Sequence, residues 1–342
     1  MSLTLSPVPA APPLRPRVPP TLPPVTRGRV ACTLALRHAG PRDLQVDWEL
    51  LGASDLPVVL VAGGISAHRH VAASTAFDGA GWWEAQAGVD RALDPRRVRV
   101  LAIDWLGSDG ALDLPIDPAD QAHAIARVLD ALGIDVLDAF VGASYGAMVG
   151  LQFAALHPHR LQRLCAISGV HRAHPYASAW RALQRQAVAL GALQCDEADG
   201  LSLARQLAIL SYRTPEEFDA RFGDAEVAAG RVRVAAEDYL EHCGAKYVAR
   251  TSPTAFVRLS ESIDLQRVDP AEVRVPVDVV AVAEDRLVPL ADAHALAAAL
   301  PDARLHILHS HYGHDAFLKE AAAIARVLAD VLSPRCRPET AA

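Results

Sequence analysis

The chain has 342 residues, 51% of them hydrophobic, and a net charge of −7 with no basic block, so it can fill a large core but carries no broad positive field for nucleic acid. No run of about eighteen apolar residues occurs, which leaves no candidate membrane helix and predicts no membrane partner. The five cysteines (Cys32, Cys165, Cys195, Cys243, Cys336) are odd in number, widely spaced and without a C-x-x-C pair, which argues against a disulfide framework or a zinc site and fits a reducing cytoplasm.

Residues 1–28 hold nine prolines between Pro7 and Pro24 and little charge beyond Arg15, Arg17 and Arg27, the composition of a disordered tail. From Gly28 onward, strand-like and helix-like runs alternate, as in a mainly parallel sheet with helices on both faces. Val30–Leu36 and Leu44–Leu50 form an expected hairpin broken at Gly40-Pro41. Buried strands are expected over Pro57–Val61, ending at Gly63-Gly64, and over Val98–Ile103, ending at Asp104. A helix follows over Gln121–Leu132, stopped by Gly133, and then a strand over Val136–Val141. Helix Ala147–Leu156 ends at His157-Pro158. Strands Leu161–Ser168, Val277–Val282 and Leu305–Leu308 complete the sheet, with helices over Ala291–Leu300 and Asp315–Leu332.

Residues 29–168 and 274–333 thus read as an α/β core, and 334–342 as a flexible tail. Between them, residues 169–273 are almost wholly helical in pattern, a lid inserted over the carboxyl edge of the sheet, where ligands of open α/β sheets bind.

Gly142-Ala143-Ser144-Tyr145-Gly146, lying between a strand and a helix, is a G-x-S-x-G nucleophile elbow. A serine hydroxyl is a weak nucleophile at neutral pH, so it needs a base and a group that orients the base. In this arrangement the chain order is Ser, then acid, then His. Asp285 lies after one downstream strand and His314 after the next. Glu284 competes for the acid, and His309 and His311 for the base, but Gly313 and the following helix set His314 in a strand-end loop. The oxyanion donors are the backbone N–H of Tyr145 and, in the loop Gly63-Gly64-Ile65-Ser66, that of Ile65.

With these residues in place, the sequence resembles the homoserine O-acyltransferases of the α/β-hydrolase fold. The specific matches lie in the insertion: Ser168–Pro175 with Gln184–Ala187, Ser211–Phe218, Arg221-Phe222-Gly223, and Tyr239-Leu240 with Gly244–Arg250. Gly313–Leu318 matches as well, and the resemblance spans about residues 28–332. It implies acyl transfer from succinyl-CoA or acetyl-CoA to L-homoserine through an acyl-Ser144, with no permanently bound cofactor and no metal, and it allows a homodimer through the helical lid. By position, Arg213 is then the holder of the homoserine carboxylate and Asp315 of its ammonium. A zwitterion needs one fixed cation and one fixed anion, and a guanidinium can grip a carboxylate with two bonds.

The sequence departs from the family at Tyr145 and Ala147, where Met and Gly are usual, and at the shortened Gly107-Ser108-Asp109-Gly110 loop. The elbow tyrosine is expected either to narrow the acyl pocket or to add a donor to it. Arg69, between His68 and His70, is a candidate cation for the distal carboxylate of a succinyl group and slightly favours that donor. L-serine is the nearest rival acceptor, since one methylene discriminates by only about 1–3 kcal/mol. An esterase or thioesterase would need the same triad without a zwitterion receptor.

Overall fold

Eight strands form one sheet in the order β1-β2-β4-β3-β5-β6-β9-β10 in the computed structural model, which describes residues 22–194 and 196–333. β1 (Val25–Leu36) and β2 (Gly40–Leu51) are the expected hairpin, and β2 runs antiparallel to β4 as well. β1 begins at Val25, paired with Leu51, so the proposed tail gives way to sheet before residue 28. The rest of the expected tail, residues 1–21, and the expected tail over 334–342 lie outside the described residues.

β3 (Val58–Ala62), β4 (Arg99–Ile103), β5 (Ala139–Ala143), β6 (Leu164–Ile167), β9 (Val277–Val282) and β10 (Ala303–Leu308) pair in parallel. β3, β5, β6 and β9 are buried at every residue, as continuous apolar runs covered on both faces must be. β5 starts three residues later than its apolar run, because Val136 is 41% exposed and Leu137 makes only an isolated bridge to Leu161.

The core helices are α1 (Pro118–Ala131), capped by Asp117 and Asp120, α2 (Tyr145–Leu156), α8 (Leu290–Ala299), α9 (Ala316–Lys319) and α10 (Ala321–Leu332). α10 buries Ile324, Val327, Leu328 and Val331, one face of a 3.6-residue period, in the same core cluster as residues of β3, β5, β6 and β9. The expected continuous helix from Asp315 is interrupted at Glu320, whose carboxylate accepts from Ser310 Oγ at 2.8 Å. Asp315 itself ends a single 3₁₀ turn over Gly313–Asp315.

The insertion is α3 (Pro175–Gln194), α4 (Glu197–Tyr212), α5 (Pro215–Arg221), α6 (Ala235–Val248) and α7 (Pro253–Asp264) around its own small core of Val188, Leu201, Tyr247 and Phe256. It is not wholly helical. β7 (Glu226–Ala228) and β8 (Arg231–Arg233) form a hairpin, turned by Ala229 at φ 50° and Gly230 at φ 76°. Two consecutive positive φ values suit the right-handed twist of a two-residue turn.

Candidate active site

Ser144 stands between β5 and α2 with φ 55° and ψ −116°, the strained backbone of an elbow. A Cβ on Gly142 would lie 2.3 Å from Gly146 O, and one on Gly146 would lie 2.2 Å from Ala62 O, so the turn closes only with glycine at both places. Hydrogen bonds from Ser144 N to Ile167 O (2.8 Å) and from Gly146 N to Gly63 O (2.9 Å) tie the elbow to β6 and to the loop after β3.

The Ser144 hydroxyl donates to His314 Nε2 at 2.8 Å, and His314 Nδ1 donates to Asp285 Oδ2 at 2.7 Å. The other Asp285 oxygen accepts from the N–H groups of Leu287 (2.8 Å) and Val288 (3.0 Å), which fixes the carboxylate. Burial opposes the charged form of His314, but the Asp285 carboxylate outweighs it and raises the imidazole pKa above its ordinary value. The rival groups are engaged elsewhere. Glu284 accepts from Ser310 N at 2.8 Å and from His309 Nδ1 at 3.1 Å, and the His311 ring lies against that of Tyr312 at a tilt of 40°.

The loop carrying Ile65 packs against the nucleophile, since a Cβ on Gly64 would come within 4.0 Å of Ser144 Cβ. Trp105 Nε1 and Ala67 N donate to Gly64 O at 3.0 and 2.9 Å and hold the loop in place. The Ile65 and Tyr145 N–H groups, expected as the oxyanion donors, both belong to segments that meet at Ser144. Tyr145 does neither of the things expected of its side chain. It is 1% exposed, lies edge-on to Trp105 and bonds Ser262 Oγ through its hydroxyl at 2.7 Å, pointing into the core rather than the acyl pocket. Burial raises its pKa, so the phenol stays neutral.

Above Ser144 a cavity of about 230 Å³ is walled by core residues, among them Ile65, Ser144 and His314, and by lid residues from α3 and α4. Asp315 is on this wall. Arg213 stands behind it, with Nε bonded to Asp315 Oδ2 at 2.8 Å and the other end of the guanidinium on Glu217. The structure thus brings Arg213 and Asp315 together, with only the carboxylate facing the cavity. It does not bring Arg69 there. That side chain pairs with Asp47 (2.7 Å) and Asp104 (3.2 Å) and leaves the cavity wall to other cations.

Those cations are Arg172, Arg181, Arg205 and Arg250; Arg172 and Arg250 fall in the family-matching segments, but none was given a role from the sequence. Arg172 pairs with Asp292 (2.9 Å), and Arg181 pairs with Asp264 (2.6 Å), which Arg185 shares (2.9 Å). Arg205 and Arg250 have no carboxylate partner among the described residues; the Arg205 guanidinium faces the rings of Tyr247 (4.8 Å) and Tyr212 (5.6 Å). Tyr212 in turn lies 5.9 Å from the His314 ring, so Arg205 looks across one aromatic toward the triad. The available signal was its place on α4 two turns before Tyr212, which puts both on one helix face. Among the described residues no group of three or more His, Cys, Asp or Glu is arranged to hold a metal, and no helix is long and apolar enough to cross a membrane.

A family model for the α/β hydrolase fold matches residues 57–321. The chain is 59% identical over 340 residues to a homoserine O-succinyltransferase of Xanthomonas campestris pv. campestris, covering 99% of this chain and 92% of that protein. It is 32% identical over 326 residues to a serine O-succinyltransferase of Stenotrophomonas maltophilia, covering 82% and 88%. In three dimensions it matches the crystal structure of a homoserine O-acetyltransferase from Bacillus anthracis with a TM-score of 0.83 at 16% identity, over 92% of this chain and 99% of that one, a likeness of fold.

Proposed function

The chain belongs to the homoserine O-acyltransferases of the α/β-hydrolase fold, and from that premise we propose that it moves a succinyl group from succinyl-CoA to the hydroxyl of L-homoserine, a step toward methionine. The observation that carries the chemistry is the unbroken line from Asp285 through His314 to Ser144, opening into a cavity walled by arginines. The 59% identity to a homoserine O-succinyltransferase favours the succinyl donor and the homoserine acceptor.

His314 Nε2 takes the Ser144 proton as Oγ attacks the thioester carbonyl. The Ile65 and Tyr145 N–H groups hold the oxyanion, worth about 10²–10³ in rate for each such donor. Collapse expels CoA as a thiolate that takes the proton from His314, leaving succinyl-Ser144. The homoserine hydroxyl then gives its proton to His314 and attacks the ester. The new ester leaves, and Ser144 recovers the proton. The lid covers this intermediate, for which water competes.

Homoserine's ammonium goes to Asp315 on the cavity wall and replaces the guanidinium there, which frees Arg213 to turn to the substrate carboxylate. The distal succinyl carboxylate needs a further cation, because burying it alone is costly. With Arg69 held by Asp47 and Asp104, Arg205 takes that part. The exposed apolar residues Tyr176, Leu183, Leu190 and Leu193 of α3, with Leu203 and Leu210 of α4, support a homodimer through the lid. Free Cys32, Cys165 and Cys243 fit a reducing cytoplasm.

Incubation with succinyl-CoA and acetyl-CoA against homoserine and serine, read by mass spectrometry, tests the assignment. O-succinylhomoserine is the expected main product. The 32% identity to a serine O-succinyltransferase makes O-succinylserine the second reading, and a serine product in excess would establish it.

A further inference from the structure

Ser168 follows the last residue of β6, beside the nucleophile. The pairing of Ala143 with Ile167, and the bond from Ser144 N to Ile167 O at 2.8 Å, set the two serines at neighbouring strand ends, where strands lie about 4.8 Å apart. Ser168 is 1% exposed and forms part of the cavity wall, and its Oγ has no hydrogen-bond partner among the described residues. Its backbone is also left-handed, with φ 49°. Glycine would relieve the backbone and alanine the unpaired hydroxyl, so serine meets two local penalties here.

The other serine hydroxyls on the wall are engaged. Ser144 is bonded to His314, Ser66 to Tyr247, Ser211 to Ala208 O, and Ser260 to Arg185. A buried hydroxyl that the protein leaves unpaired, in a cavity built for ligand, finds its partner on the ligand. The sheet order puts β3 and its oxyanion loop on one side of β5 and β6 on the other. A carbonyl on Ser144 whose oxygen points to Ile65 therefore turns its remaining substituents toward Ser168. In this reaction the strongest acceptors for a neutral donor are carboxylates.

Resting on the proposed acyl transfer, we infer that Ser168 is a substrate-contacting residue whose Oγ–H donates to a substrate carboxylate, that of the succinyl group or that of homoserine. Ser168→Ala and Ser168→Gly, followed through both half-reactions with each acyl donor and through thermal unfolding, decide it. The expected result is a loss of roughly ten- to hundredfold in kcat/KM at the step that brings in the carboxylate, with a thermal midpoint that holds or rises. A loss in CoA release from succinyl-CoA that spares acetyl-CoA assigns the succinyl carboxylate. A raised KM for homoserine with both donors and an intact CoA burst assigns the acceptor. Unchanged kinetics in both variants, or a uniform loss of kcat with a lowered midpoint in both, overturns the inference. A wild-type protein that does not acylate homoserine would instead overturn the function on which it rests, and the same assay reads it.

Discussion

Arg213 Nε lies 2.8 Å from Asp315 Oδ2, so the two charges assigned to the two ends of an amino acid are bonded to each other. Binding a zwitterion between them exchanges one ion pair for two, and neither charge is left bare before the acceptor arrives.

Arg213→Ala should therefore lower kcat/KM for homoserine by about a hundredfold or more, as loss of one member of a buried charge pair does. Release of CoA in the first half-reaction and slow hydrolysis of the acyl-enzyme should persist. Steady-state kinetics with varied homoserine, beside a burst measurement, check this. An esterase acting on neutral substrates would be nearly indifferent to the change.

Arg205→Ala should act on the other substrate. The rate with succinyl-CoA is expected to fall roughly tenfold or more, the cost of removing a charge-assisted bond, while the rate with acetyl-CoA stays within a few-fold. The ratio of the two kcat/KM values is the readout, and an equal loss with both donors would remove Arg205 from the acyl subsite.

The pH dependence follows from His314. It must be neutral to take the Ser144 proton, and the Asp285 carboxylate raises its pKa over the opposing effect of burial. Activity should therefore climb with pH through an inflection above the ordinary histidine value of about 6.5. Asp285→Asn should lower kcat by about 10³–10⁴-fold through loss of imidazole orientation. Linkage has the same sign. The charged pair adds stability that is full below the unfolded pKa and is lost as pH rises through the folded one, which denaturation midpoints across that window would register.

Tyr145→Phe should separate stability from catalysis. It leaves the Ser262 hydroxyl, at 0% exposure, without its 2.7 Å partner, and should cost about 1–3 kcal/mol of folding stability. Because the ring does not face the cavity, kcat should change less than twofold. Denaturant unfolding and the steady-state assay check the two halves.

The candidate triad was legible because each member follows a parallel strand, where an apolar run stops at a glycine or a polar loop. His314 was separable from His309 by local context, whereas Asp285 is told from Glu284 only by its bond to His314 Nδ1. Arg69 could not be placed in that way. What holds it is Asp47 on β2 and Asp104 after β4, partners set by strand order rather than by sequence spacing. The orientation of Tyr145 was hidden for the same reason, since Ser262 lies on α7 in the lid. Arg205 stands among helical residues that all look alike in a periodic pattern, and only the surrounding tyrosine faces distinguish it. The β7–β8 hairpin is too short for its alternation to stand out from helical neighbours.

The most direct test is rapid mixing with succinyl-CoA in the absence of homoserine, followed by peptide mass analysis. A burst of free CoA close to one per chain is expected, with a succinyl adduct on the peptide containing Ser144 and discharge of that adduct to O-succinylhomoserine when homoserine is added. Steady formation of O-succinylhomoserine with no burst and no adduct on Ser144 would contradict the acyl-enzyme route.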